Sequence, residues 1–209
     1  MTVPVIGVDF DNTLVSYDDL MHEVARDQGF ISPELSGGKH AIRERIRQSA
    51  AGERGWQKVQ SLVYGPKIDR ATLIDGVQMF FIRCRQGGIS VRIISHKTEF
   101  AAGDEGKTNL RAAALTWMER RGFFREEGLG LSAQDVFFES TRDEKIERIR
   151  QLGCTHFIDD LEETFLEPSF PPHVEKLLYA PWGPARTPSG VRRFSSWQAI
   201  HDYFFPSSR

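Results

Sequence analysis

Gly7-Val8-Asp9-Phe10-Asp11-Asn12-Thr13-Leu14 is the stretch whose reading decides the fold. The apolar run from Val3 to Val8 ahead of it predicts a buried strand, and that strand ends in two carboxylates with one aromatic residue between them. Side chains alternate along a strand, so Asp9 and Asp11 leave one face at its carboxyl end while Phe10 turns into the core. Like charges at such range oppose each other's ionisation. A site that keeps both acids therefore implies a cation. The plainer alternative is a strand closing on a polar turn, with Asn12 supplying the bend.

Further along the chain the same pattern returns. Ser90 to Ser95 predicts a second strand that delivers a hydroxyl to the rim where Asp9 lies. Asp135 to Glu139 predicts a third strand, and Thr141-Arg142-Asp143-Glu144 opens a helix with capping-box spacing. Lys145 then falls in the first turn of that helix, where the helix dipole disfavours a cation. Thr155 to Ile158 predicts a fourth strand ending in a second acidic pair, Asp159-Asp160, and Lys176 to Ala180 a short fifth. If the first and fourth strands are neighbours, three or four carboxylates converge on one crevice beyond the strand ends, where open α/β sheets bind ligands.

These segments resemble the four motifs of the haloacid dehalogenase-like phosphohydrolase superfamily, in the expected order: Asp9 to Leu14, Ile93-Ile94-Ser95, Lys145, and Phe157-Ile158-Asp159-Asp160. The first and fourth are specific in themselves; a serine after a strand and a lysine on a helix are common. The resemblance implies a doubly wound parallel α/β sheet with strand order 5-4-1-2-3 and a small α-helical cap. It implies Asp9 as the nucleophile that forms an aspartyl-phosphate and Asp11 as the acid and base. Ser95 and Lys145 would hold the transferring phosphoryl group, and Asp9, the backbone carbonyl of Asp11 and Asp159 would hold the metal. Thr13 and Asp160 would support from behind, Asp160 by orienting Lys145 or a water. Hard oxygen donors, a phosphate partner and no His or Cys cluster point to Mg2+ rather than zinc. Dehalogenases and phosphonatases resemble this pattern without an acid two residues after the nucleophile, so Asp11 favours phosphate esters. The expected activity is hydrolysis of a phosphate monoester of a small metabolite. The alternatives are a phosphomutase of the same superfamily and a phospho-ligand binding module without chemistry.

Between the first two strands lie some 60 residues, too many for a connection. They read as helices over Asp18–Gln28, Lys39–Ala51 and Trp56–Tyr64, with Gly52 to Gly55 as a break. The expected division is a core of residues 1–15 and 73–209 and a cap of residues 16–72. From Gly37 to Arg70 the cap carries eight basic residues against three acidic ones, which would concentrate an anionic substrate; charge runs on helices are nonetheless usually solvated faces. Trp56 and Tyr64 read first as packing residues. Ile74–Gln86 and Asn109–Arg121 predict two more helices, and Ser195-Ser196 caps a last one.

His96 and Lys97 follow Ser95 directly and are read as able to touch the phosphate or the leaving group, polar loop residues being otherwise mostly solvated, and His96 joins Ser95 and Lys145 as a candidate substrate ligand. The loops over 97–107 and 181–193, the second including Trp182, Arg186, Arg192 and Arg193, lie near the same rim. A net charge of -2 over 209 residues carries no nucleic-acid signature. No apolar run is long enough for a membrane span, and no signal-type segment opens the chain, so a cytoplasmic setting is expected. Cys84 and Cys154 lack metal or disulfide spacing and read as reduced packing residues. The sequence sets no oligomeric state.

Overall fold

The computed structural model describes residues 3–101, 108–182 and 187–206. The candidate loop residues 103–107 and Arg186 lie outside them. The chain forms two compact units, residues 1–15, 73–97 and 121–209 in the first and residues 16–72 and 98–120 in the second.

The first unit is built on a six-stranded parallel sheet. Its strands in chain order are β1 (Val5–Val8), β4 (Ser90–His96), β5 (Val136–Glu139), β6 (His156–Asp159), β7 (Glu175–Tyr179) and β8 (Val191–Phe194). Two-residue strands β2 (Val15–Ser16) and β3 (Thr72–Leu73) pair with each other where the chain passes between the units. The sheet order is β5-β4-β1-β6-β7-β8, which contains the expected five-strand order and adds β8 at the edge. β1 sits at the centre, Val8 opposite Ile93 of β4 on one side and Ile158 of β6 on the other. That register brings the carboxyl ends of all three strands level. β8 went unread in the sequence because its middle is two arginines. As an edge strand it exposes Arg192, which reaches Glu175 at 3.2 Å and covers the Tyr203 ring, while the half-buried Arg193 donates to the Ala180 carbonyl at 2.7 Å.

Both faces of the sheet are covered. On one face Ile94, Phe157 and Leu178 pack with Ile146 and Ile149 of α6 (Arg142–Gln151) and Phe165 of α7 (Glu162–Leu166). Tyr179, the next residue after Leu178, turns to the other face and meets Trp197 of α8 (Trp197–Phe204). Trp197 in turn packs on Phe80 and Phe81 of α4 (Val77–Gln86). Gly7 is fixed by this packing: a Cβ there would stand 2.5 Å from the Phe157 ring. The predicted caps form, Thr141 and Glu144 closing a reciprocal box on α6 and Ser196 accepting from the Ala199 amide at 3.1 Å.

The second unit is helical: α1 (Asp18–Asp27), α2 (Lys39–Arg47), α3 (Gly52–Tyr64), a 3-10 turn at Ile68–Arg70, and α5 (Leu110–Arg120). Two expectations change here. Gly52 to Gly55 does not break the helix but begins it, because Gly55 lets α3 come close to α2; a Cβ on it would lie 3.1 Å from Ile46 and 2.5 Å from Ala51. And α5, expected in the core domain, clusters with residues 16–72. Its Trp117 indole donates to the Ala71 carbonyl at 3.2 Å, and Arg120 pairs with Asp69. Trp56 and Tyr64 are buried packing residues, Tyr64 edge-on to Tyr17. Several cations of the basic run are spent inside the unit: Arg47 on Glu53 at 2.6 Å, Lys67 on Asp27 at 3.0 Å, and Arg70 on Glu23. Among the described residues no helix is long and apolar enough to cross a membrane.

Candidate active site

The carboxyl ends of β1, β4 and β6 carry the site, all within the first unit. Beyond β1 the chain turns sharply at Asn12, whose φ of 61° is a left-handed conformation that asparagine tolerates. Its amide donates to the Val15 carbonyl at 2.9 Å. The bend of the plain reading is therefore real, and both acids come just before it. Trp197 fixes the turn from below, its indole donating to the Thr13 carbonyl at 2.8 Å.

Asp9 and Asp159, on adjacent strands, share one ammonium. Lys145 Nζ donates to Asp9 Oδ1 at 2.6 Å and to Asp159 Oδ2 at 2.7 Å, and all three residues are buried. The position that looked unfavourable for a lysine on α6 is explained by this double pairing. The Leu161 amide donates to the second Asp159 oxygen at 2.9 Å, which fixes the plane of that carboxylate. Burial pushes the Asp9 carboxyl up to about 6; Lys145 opposes the shift, while Asp159 and Asp11 add to it. Burial alone would lower the Lys145 ammonium, but Asp159 and Asp9 together raise it.

Asp160 lies on the other side of Asp159. Its amide donates to Thr13 Oγ1 at 3.1 Å, and that hydroxyl donates back to Asp160 Oδ1 at 3.4 Å. Thr13, fully buried, thus ties the β1 turn to the end of β6. Asp160 thus meets Thr13, the other residue expected to support the site from behind. Ser95 is also buried, at 1% exposure, and its Oγ has no hydrogen-bond partner among the described residues. A buried hydroxyl left unsatisfied is costly, and a ligand oxygen would complete it.

Strand alternation separates the two residues after Ser95. His96 is exposed, and its Nε2 donates to the Ser140 carbonyl at 3.0 Å, with burial of the ring nitrogen lowering its pKa. Lys97 returns to the Ser95 side, is 4% exposed, and places Nζ 2.8 Å from Asp11 Oδ2 and 3.1 Å from Oδ1. The structure thus brings Asp9, Asp11, Ser95, Lys145, Asp159, Asp160 and Thr13 to one strand edge and adds Lys97, while His96 is engaged with backbone.

One oxygen each from Asp9, Asp159 and Asp160 lie within 4.8 Å of one another. Four carboxylates face two ammonium groups here, a surplus of two negative charges when all are ionised. The donors are oxygen alone. Both facts fit a hard divalent cation.

No protein-family model matches the chain, and no curated protein sequence matches it significantly. Solved structures do match over the whole length. A HAD family hydrolase from Deinococcus radiodurans R1 with bound phosphate and sodium is 13% identical, covering 97% of this chain and 95% of its own with a TM-score of 0.53. A predicted phosphoglycolate phosphatase from Haemophilus somnus 129pt is 11% identical, covering 98% and 99% with a TM-score of 0.58. The L-2-haloacid dehalogenase RSc1362 is 11% identical, covering 97% and 99% with a TM-score of 0.56. The chain therefore has the fold of the haloacid dehalogenase-like hydrolases, as its four motifs led one to expect. A predicted phosphatase and a dehalogenase are among the structures with that fold, so the choice between such activities falls to the residues of the site.

Proposed function

We propose that the chain is a magnesium-dependent hydrolase of the haloacid dehalogenase-like superfamily, acting on the phosphate monoester of a small metabolite through an aspartyl-phosphate on Asp9. The observation that carries the reading is the pairing of Asp9 and Asp159 through Lys145, at 2.6 and 2.7 Å, with Asp11 on the same rim. The dehalogenase among the fold neighbours is the competing reading, and Asp11 is the residue that speaks against it: cleaving a carbon–halogen bond needs no proton donor for the leaving halide.

In the first step an Asp9 carboxylate oxygen attacks phosphorus, the bond from phosphorus to the ester oxygen breaks, and Asp11 gives its proton to the departing alkoxide. In the second, Asp11 takes a proton from a water as its oxygen attacks phosphorus, and the bond to Asp9 breaks to release inorganic phosphate. Ser95 Oγ and Lys145 Nζ donate to the phosphoryl oxygens as charge moves onto them. Asp9, Asp159 and the Asp11 carbonyl would hold magnesium, with Asp160 beside them. The chemistry the ion supplies when bound is relief of the repulsion between the Asp9 carboxylate and the anionic phosphate. The setting in which we place this reaction is cytoplasmic, in keeping with two buried free cysteines.

The test is release of phosphate from p-nitrophenyl phosphate and a panel of phosphorylated metabolites with and without magnesium. Turnover should require the metal, and Asp9→Asn should abolish it while the protein stays folded. Full activity in Asp9→Asn, or no turnover of any ester by folded wild-type protein with magnesium, overturns the reading.

A further inference from the structure

Lys97 is a buried cation that the reaction as described leaves unused. Its side chain is 3% exposed, against 20% for its partner Asp11. The ammonium lies within 2.8 and 3.1 Å of the two Asp11 oxygens and 5.7 Å above the Phe10 ring. The backbone is held as well, its amide donating to the Glu139 carbonyl of β5 at 2.9 Å. Withdrawing an ammonium from water costs several kcal/mol unless a counter-charge meets it, and the Asp11 carboxylate supplies one. The geometry is two-pronged: both Asp11 oxygens are engaged from one side, which fixes the carboxylate plane while leaving part of the group open to the rim.

We propose that Lys97 is a positioning residue for proton transfer, orienting the Asp11 carboxyl toward the leaving oxygen. The inference rests on the phosphohydrolase reading and deepens it, since it predicts which substrates need Lys97. A general acid matters in proportion to the basicity of the leaving oxygen. An alkyl phosphate departs as a strongly basic alkoxide and needs the proton, whereas 2,4-dinitrophenyl phosphate departs as a stable phenolate and does not. A lysine that bound phosphate, or that merely held the fold, would serve both esters alike.

The experiment compares Lys97→Met, Asp11→Asn and the double variant on an alkyl phosphate and on 2,4-dinitrophenyl phosphate, with magnesium. General acids contribute on the order of 100- to 10,000-fold, and misorienting one forfeits part of that. Asp11 also serves as base in the second step, which both esters share, so the reading is taken from kcat/KM, which covers only the steps through departure of the leaving group. Lys97→Met should lower it roughly 10- to 100-fold for the alkyl ester and less than about 3-fold for the dinitrophenyl ester. In the Asp11→Asn background, adding Lys97→Met should change neither substrate further. An equal loss of kcat/KM on both esters, no loss on the alkyl ester, or a further loss in the double variant each overturns the proposal. Should Lys97→Met fail to fold, Lys97→Arg, which keeps the buried charge but changes its geometry, takes its place: it should lower kcat/KM for the alkyl ester while leaving the dinitrophenyl ester within about 3-fold, and an equal effect on both esters overturns the proposal. Wild-type protein that hydrolyses neither ester would instead sink the phosphohydrolase reading, and the role of Lys97 with it.

Discussion

The Asp9 carboxyl is held in a place that suits chemistry at the expense of stability, and replacing it with asparagine should make the metal-free protein more stable. In the folded chain its pKa stands at about 6 against an ordinary 3.8, with burial as the main cause. A gap of that size disfavours the ionised form of the folded protein by roughly 3 kcal/mol. The direction follows from proton binding. Between about pH 4 and pH 6 the folded protein still holds a proton that the unfolded chain has released, so raising the pH through this window removes stability. The loss is complete above about pH 7. Asparagine has nothing to release, while Lys145 keeps its 2.7 Å contact with Asp159. Urea unfolding of wild type and Asp9→Asn in EDTA, from pH 4 to pH 7.5, confines the effect to Asp9 and the neighbours it is coupled to, Asp11, Lys145 and Asp159, because groups elsewhere in the chain cancel in the difference. That difference should grow by about 3 kcal/mol in favour of the variant between pH 4 and pH 7 and stay level beyond. Two stability curves that run parallel across the window would refute the argument. Magnesium supplies the complementary measurement: at about 100 times its Kd it should stabilise wild type by roughly 2.7 kcal/mol and Asp9→Asn by much less.

Two further substitutions probe the packing that holds the site. Lys145→Met removes the ammonium that Asp9 and Asp159 share and leaves two buried carboxylates without a counter-charge, so it should cost about 3–5 kcal/mol in EDTA, read from urea unfolding at pH 7.5, with part of the loss restored by magnesium. Gly7→Ala drives a methyl to 2.5 Å from the Phe157 ring in the central strand, and should cost about 1–3 kcal/mol in the same measurement; a stability equal to wild type would show that the β1–β6 packing yields easily.

The parts of the site that were legible in the sequence are those for which the fold alone gives no reason. Two acids ending a buried strand, repeated at a second strand end, serve no packing purpose, and their recurrence at Asp9, Asp11, Asp159 and Asp160 is visible without coordinates. Strand count was legible as far as β7, because β1, β4 and β6 carry buried apolar stretches toward their carboxyl ends, whereas the order of the strands came from the family resemblance. At the edge the signal fades: β8 hides behind Arg192 and Arg193, which an edge strand can present to water. For α5 the apolar face was plain, but an amphipathic helix does not announce its partner. The Ala71 carbonyl and Asp69 that hold it lie 46 and 51 residues earlier.

Lys97 and Trp197 mark the limit most clearly. A lysine just after a strand is ordinarily solvated, and nothing local sets this one apart. Its burial is created by Asp11, 86 residues away. Trp197 likewise reads as the first apolar residue of an amphipathic helix, and its tie to the Thr13 carbonyl spans 184 residues. Both grip the turn after β1 from parts of the chain that carry no motif, Trp197 through a main-chain carbonyl and Lys97 through a side-chain carboxylate. Motif residues are constrained by the chemistry they perform, so their identity shows at their own positions. Residues that aim them are constrained by a partner distant in sequence, so their identity becomes meaningful only when the partner is seen. If that distinction holds here, the substitutions that slow an alkyl ester selectively will be found among such supports, with Lys97 first, whereas substitutions at Ser95 and Lys145, which would hold the phosphoryl group itself, will slow every ester alike.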